Sequence, residues 1–304
     1  MPAVCLGLLF LRCPTVLPAR LSYILATERI LVMKHHFSIA IQLYSVRESL
    51  SSDFEGVLKR ISEMGYDGVE FAGLYGHFPP EVKAICQKYG LNPVSAHVPF
   101  IDLISNPDLL YTYADIGCKY IVIPFLQEEY RPGSPLFHTF LDEARILGRK
   151  AAELGLHLCY HNQSYEFQKL ADEYALDYIY RNIPSSLLTP ELDTCWIHIA
   201  GEDPAAYMRR YSDRELLIHL KDTTGRILDT VPPENASVKR PACSNNLYEF
   251  CPLGMGTVDI PSILDAADDI GVHWLFVEQD SQSFGLDELQ SAEKSIRYLK
   301  SLLD

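Results

Sequence analysis

Eight short apolar runs alternate with eight amphipathic segments between Ser38 and the C-terminus, and this alternation restricts the fold more than any other feature of the chain. The strand-like runs are SIAIQLYSV (38–46), YDGVEF (66–71), NPVSAH (92–97), CKYIVIPF (118–125), LHLCYH (156–161), LLTPELD (187–193), ELLIHLKD (215–222) and VHWLFVEQ (272–279). Between them the apolar spacing turns helical: Phe54, Val57, Leu58, Ile61 and Met64 recur every three or four residues before a closing Gly65. Prolines open the segment 79–90 and a glycine closes it, the asymmetry expected of a helix. Strict strand–helix alternation with right-handed crossovers implies an all-parallel sheet, and eight units close it into a (β/α)₈ barrel. A doubly wound open sheet is disfavoured, because no GxGxxG or phosphate loop follows any strand.

Such a barrel keeps its chemistry at the C-terminal ends of its strands. The run LHLCYHNQSYEF (156–167) discharges His161, Asn162, Gln163 and Glu166 at that end. Three later strands deliver Asp193, His219 with Lys221, and Glu278. Glu166, Asp193, His219 and Glu278 are therefore the expected metal ligands, three carboxylates and one imidazole with an open face for substrate. That donor set suits a divalent Mn, Mg, Co or Zn ion. His97 at the tip of the third strand, with Glu70, His161 and Trp196, is expected to bind substrate. Phe100 shares with Trp196 an expected place in an apolar wall, and Gln42 and Tyr44 an expected place on the pocket floor.

The net charge of −14 excludes the basic surface that nucleic acid or an anionic membrane demands. The expected partner is instead a small sugar or polyol, and the chain is compatible with a homo-oligomer. Eight scattered cysteines without CxxC spacing read as reduced thiols, which points to the cytoplasm. No run of 18 apolar residues suggests a membrane span. Residues 1–32 read as an extension outside the fold, with Met33 as an alternative start and 33–304 as a single barrel domain. Asp222–Gly256 is too long for an ordinary connection and is expected to overhang the site as a lid.

The ordered motifs IQLYSVRE, YDGVEFAG, YHNQSYEF, ELDTCWIHIAGEDP, HLKD and FVEQD resemble the sugar phosphate isomerase/epimerase superfamily. These are xylose isomerase-like TIM barrels that also include metal-dependent apurinic endonucleases, and the similarity spans about residues 38–302. In the branch with a Tyr-His-Asn-His-x-x-Glu-Phe motif, the resemblance places the metal ligands on Glu166, Asp193, His219 and Glu278. It implies proton transfer next to a carbonyl through a metal-stabilised enediolate, with Glu166 and Glu278 as acid and base and Lys221 facing the oxyanion. Gln163 stands where the branch has a second His, while Trp196 and Gly225 replace the His and Arg of sugar 3-epimerases. The expected function is accordingly a metal-dependent sugar or sugar phosphate isomerase/epimerase, with a keto-inositol or keto-glycoside dehydratase or lyase as the alternative on the same site. A non-catalytic sugar-binding barrel is the alternative from another class. Endonuclease chemistry is disfavoured by the acidic surface.

Overall fold

The computed structural model describes residues 37–228 and 248–304. The extension 1–32 and the alternative start at Met33 lie outside the described residues. Eight parallel strands close on themselves: β1 (Ser38–Gln42), β2 (Gly68–Phe71), β3 (Asn92–His97), β4 (Tyr120–Ile123), β5 (His157–His161), β6 (Thr189–Asp193), β7 (Leu217–Leu220) and β8 (Trp274–Val277). Each pairs with its sequence neighbour, and β1 pairs with β8 in the register Ile41↔Val277. The closed barrel removes the doubly wound alternative.

Eight crossover helices cover the outside: α1 (Phe54–Met64), α2 (Pro79–Tyr89), α3 (Leu109–Ile116), α4 (Phe137–Glu153), α5 (Ala175–Asn182), α6 (Pro204–Arg210), α7 (Ile260–Ile270) and α8 (Glu288–Leu303). Local chemistry sets their ends. The Asp53 carboxylate accepts the Gly56 N–H to start α1, and Asp287 with Gln290 forms a reciprocal capping box at α8. Gly65 and Gly90 end α1 and α2 in the left-handed conformation that glycine adopts without a Cβ penalty. The face each helix turns inward is apolar, such as Phe54, Val57, Leu58 and Ile61 on α1, and packs on the outward residues of the strands.

Of the expected lid Asp222–Gly256, residues 229–247 lie outside the described residues, and its two described ends pair with each other. Asp222–Ile227 pairs antiparallel with Tyr248–Cys251. Asp222 holds this hairpin: its buried carboxylate accepts the backbone N–H groups of Thr223 (2.9 Å), Gly254 (3.0 Å), Gly256 (2.9 Å) and Val258 (3.1 Å). A Cβ on Gly256 would stand 2.2 Å from Asp222 Oδ1, so the carboxylate takes the space a side chain would need. Cys86, Cys118, Cys159, Cys195 and Cys251 are buried free thiols. Among the described residues no helix is long and apolar enough to cross a membrane.

Candidate metal centre and substrate pocket

Inside the barrel a two-residue step along a strand changes the chemistry completely. Ala40, Val94, Val122, Cys159, Leu217 and Phe276 fill the interior as an apolar plug. Side chains two apart share a strand face, and two residues beyond Ala40, Cys159, Leu217 and Phe276 stand Gln42, His161, His219 and Glu278. β6 adds Glu191 and Asp193, with Asp193 in register with His219.

The polar residues form two tiers. In the upper tier, candidate donor atoms of His161, Asp193, His219 and Glu278 all lie within 4.8 Å of one another. His219 Nδ1 is 3.1 Å from Glu278 Oε2, and His161 Nε2 is 3.6 Å from Asp193 Oδ2. The Lys221 ammonium stands among the carboxylates, 3.0 Å from Glu278, 3.1 Å from Asp280 and 3.3 Å from Asp193. In the lower tier Glu191 Oε2 meets His97 Nε2 at 2.8 Å and His161 Nδ1 at 3.1 Å, with His219 Nε2 at 3.3 Å. Glu70 flanks it: Oε1 lies 3.0 Å from His97 and 2.9 Å from His219 and accepts from Gln42 at 2.7 Å, while Oε2 accepts from the Ser95 hydroxyl at 2.6 Å.

Burial and charge compete at each group. Burial works against the protonated form of His219, but the Glu191 and Glu70 charges outweigh it and hold its pKa well above the ordinary imidazole value. In the same way His97 is raised to about 10 by Glu70 and Glu191 against the cost of burial. Burial alone would raise Glu278 and Glu191, yet Lys221 and His219 hold Glu278, and His219 and His97 hold Glu191, well below the usual carboxylate range. Asp280 is pushed up by burial, with Glu278 adding to the rise and Lys221 opposing it. Lys221 stays charged, because Asp193, Asp280 and Glu278 more than offset the desolvation of its ammonium.

The upper tier fits a divalent cation. In it Asp193 Oδ2 is buried without a hydrogen-bond partner; in the lower tier His219 Nε2 is also without one, close to Glu70 but off a hydrogen-bonding angle. The carboxyl groups of Asp193, Glu278 and Asp280 crowd around the one ammonium of Lys221, an acidic surrounding that such an ion would offset. Two imidazole nitrogens and two carboxylate oxygens are a donor set for Mn, Co or Zn.

Of the expected ligands, the structure brings together Asp193, His219 and Glu278, and His161 stands fourth where the sequence reading had Glu166. Both Glu166 oxygens are engaged elsewhere: the Tyr160 hydroxyl donates to one, and the Gln163 backbone N–H donates to the other at 2.9 Å. Tyr160 faces the helix layer against Phe140, so Glu166 is drawn behind β5, and its burial raises its pKa to about 7. A cavity of about 390 Å³ opens above the upper tier, lined on its polar side by Tyr44, His97, His161, Lys221, Glu278 and Asp280. Trp196 and Gln163 also line it, and Val98, Pro99, Leu109 and Phe125 form an apolar wall. Phe100 instead packs behind the barrel against Tyr130 and Phe140, while Gln42 and Glu70 lie below the cavity rather than in its wall.

Sequence reasoning missed Glu191 and Asp280. The signal was present for Glu191, which stands two residues before Asp193 on the same face of β6, whereas Asp280 follows Glu278 in the loop after β8. The roots of the long loop reach the site: Phe250 packs edge-on against Trp196, with ring centroids 5.6 Å apart. Lys221 Nζ lies 5.2 Å from the Phe250 centroid and 5.3 Å from that of Trp196.

A closed parallel (β/α)₈ barrel with carboxylates and imidazoles gathered at its C-terminal end is the architecture of the xylose isomerase-like TIM barrels. The model of the xylose isomerase-like TIM barrel family matches residues 58–302, and the chain belongs to that family. An inosose dehydratase from Geobacillus kaustophilus (strain HTA426) is 24% identical over 271 residues, 81% of this chain and 86% of that one. The crystal structure of a sugar phosphate isomerase/epimerase from Parabacteroides distasonis ATCC 8503 superposes with a TM-score of 0.65 at 21% identity, covering 88% of this chain and 96% of the other. The IOLI protein, crystallised with a bound zinc atom, superposes with a TM-score of 0.67 at 15% identity, covering 88% and 98% of the two chains.

Proposed function

We propose that this chain is a divalent-metal-dependent dehydratase acting on a small keto-polyol ring of the inosose type. The observation that carries the reading is the convergence of His161, Asp193, His219 and Glu278 beneath an open pocket, with the Lys221 ammonium held among the carboxylates. The dehydratase name of a relative matched over most of both chains favours loss of water over isomerisation. Trp196 and Gly225, in place of the His and Arg of sugar 3-epimerases, support the same choice.

His161, Asp193, His219 and Glu278 would hold the ion, which when bound polarises a carbonyl and acidifies the neighbouring C–H. Glu278, kept ionised by Lys221 and His219, is in the form that accepts that proton. The Lys221 ammonium faces the pocket and balances the negative charge that develops on the substrate oxygen. Asp280, raised by burial, can carry a proton to the departing β-hydroxyl. The C–H proton then goes to Glu278, the C–O bond breaks, and hydroxide takes the Asp280 proton to leave as water. Trp196 and the wall of Val98, Pro99 and Phe125 exclude water from the apolar face of the ring. Glu166 in its present position sends neither oxygen toward this chemistry.

A second reading, isomerase or epimerase, uses the same proton abstraction, and the likeness to a sugar phosphate isomerase/epimerase structure favours it. The two separate in one experiment: the chelator-stripped enzyme, reloaded with Mn, Co or Zn, is incubated in D₂O with a keto-inositol and with free and phosphorylated keto-sugars. The dehydratase reading expects a product lighter by one water from the keto-inositol. Retention of mass with one solvent deuterium incorporated supports the isomerase instead, and no turnover with any metal overturns both.

A further inference from the structure

One carboxylate oxygen lies at the focus of three imidazoles from three strands. Glu191 Oε2 is 2.8 Å from His97 Nε2, 3.1 Å from His161 Nδ1 and 3.3 Å from His219 Nε2. Glu191 is fully buried and does not line the pocket, so a substrate in the cavity does not reach it. Its place in the sequence, two residues before Asp193 on β6, puts it directly beneath the upper tier.

His161 and His219 each divide their two nitrogens between the tiers. His161 turns Nδ1 down to Glu191 and Nε2 up toward Asp193. His219 turns Nε2 down to Glu70 and Glu191, and Nδ1 up toward Glu278. A neutral imidazole that gives one nitrogen to an ion carries its proton on the other, and a carboxylate facing that other nitrogen selects the tautomer and locks the ring. Both rings face Glu191 with the nitrogen that points away from the pocket.

We infer that Glu191 is a positioning residue for the metal centre: its contact with His161 Nδ1 holds that ring in the Nδ1–H form, so that Nε2 is left to face an ion beside Asp193. This rests on the metal-dependent reading above and extends it to a residue that touches neither ion nor substrate. The rival arrangement places the ion in the lower tier, where His97, His161, Glu191 and His219 also offer atoms within 4.8 Å of one another. There Glu191 would be a ligand, and the His161 tautomer would reverse.

Two measurements on the full-length protein decide the matter. The first is long-range ¹H–¹⁵N correlation of the zinc-loaded wild type, which reads each imidazole tautomer directly and needs no substitution that could disturb folding. The inference expects the Nδ1–H form for His161, and the Nε2–H form overturns it. The second is competitive chelator titration with cobalt(II) of wild type, Glu191→Gln and Asp193→Asn. Glu191→Gln is expected to weaken binding by about 10–100-fold while the visible Co(II) spectrum keeps its shape. Asp193→Asn is expected to change that spectrum or abolish it. Wild-type affinity in Glu191→Gln, or a loss as complete as that in Asp193→Asn, overturns the positioning role. If the wild type itself takes up neither metal, the metal-dependent function fails, and the positioning role fails with it.

Discussion

The two ends of the barrel interior are built from the same strands and differ by one two-residue step. Below, Ala40, Cys159, Leu217 and Phe276 make a dry plug; above, Gln42, His161, His219 and Glu278 make a charged site. The plug stabilises by removing apolar surface from water, about 25 cal/mol per Å². The upper end gathers buried charges whose desolvation offsets much of their mutual attraction. One end therefore serves stability, and the other concentrates buried charge that the proposed cation would offset. That contrast predicts that substitutions at the two ends have separable effects.

The largest expected effect is at the charged end. Glu278→Gln should release most of the bound metal and lower turnover by about 10³-fold, since an ion polarising a carbonyl supplies several kcal/mol of barrier reduction. Elemental analysis and steady-state rates check this, and the metal-free variant should melt close to the metal-free wild type. Phe276→Ala should do the reverse, costing about 3–5 kcal/mol of stability through the cavity it leaves. Urea denaturation reads that loss, and chelator competition should find metal affinity nearly intact. If both substitutions move both properties, the two ends do not act independently.

Glu166→Gln sharpens the boundary of the site. Because Tyr160 and the Gln163 N–H occupy its oxygens, the variant should keep its metal and lose about 1–3 kcal/mol of stability from a weakened buried network. Metal lost in parallel with Glu278→Gln would instead make Glu166 a ligand in the loaded enzyme, as the family motif implies.

The smallest effect is a pH dependence of the chelator-treated protein. His97 is raised from 6.5 to about 10 by Glu70 and Glu191. A raised pKa means that the folded state binds the proton more tightly, so this contribution is complete below about 6.5 and is lost as pH rises through about 10. The denaturation midpoint should fall across that window, and His97→Gln should flatten the fall. Metal loading should flatten it too, if the ion takes over the role of neutralising the carboxylates.

Much of this was legible along the chain. All eight strands and the helices between them follow from the apolar periodicity, with Gly65 and Gly90 marking helix ends. Asp193, His219 and Glu278 stand out because each is a polar residue closing an apolar run. Glu191 escaped notice within the same motif as Asp193, although the two-residue period alone puts both on one face. Glu166 was read by its motif, and its path behind β5 depends on a hydroxyl, that of Tyr160, whose direction no periodicity gives. The long segment after β7 was read as a lid, and the pairing of its ends escaped that reading because Asp222 accepts backbone N–H groups from residues up to 36 positions away.

By itself, the sequence determined the barrel, the strand ends at which the polar cluster gathers and its make-up of carboxylates and imidazoles, because these depend on local periodicity and residue type. Only the tertiary structure decided which nitrogen of each imidazole faces which carboxylate, that three rings share Glu191, and that Lys221 lies between Glu278, Asp280 and Asp193. Those relations arise when strands distant along the chain close into one ring, where sub-ångström distances and orientations, rather than spacing in sequence, set the energies.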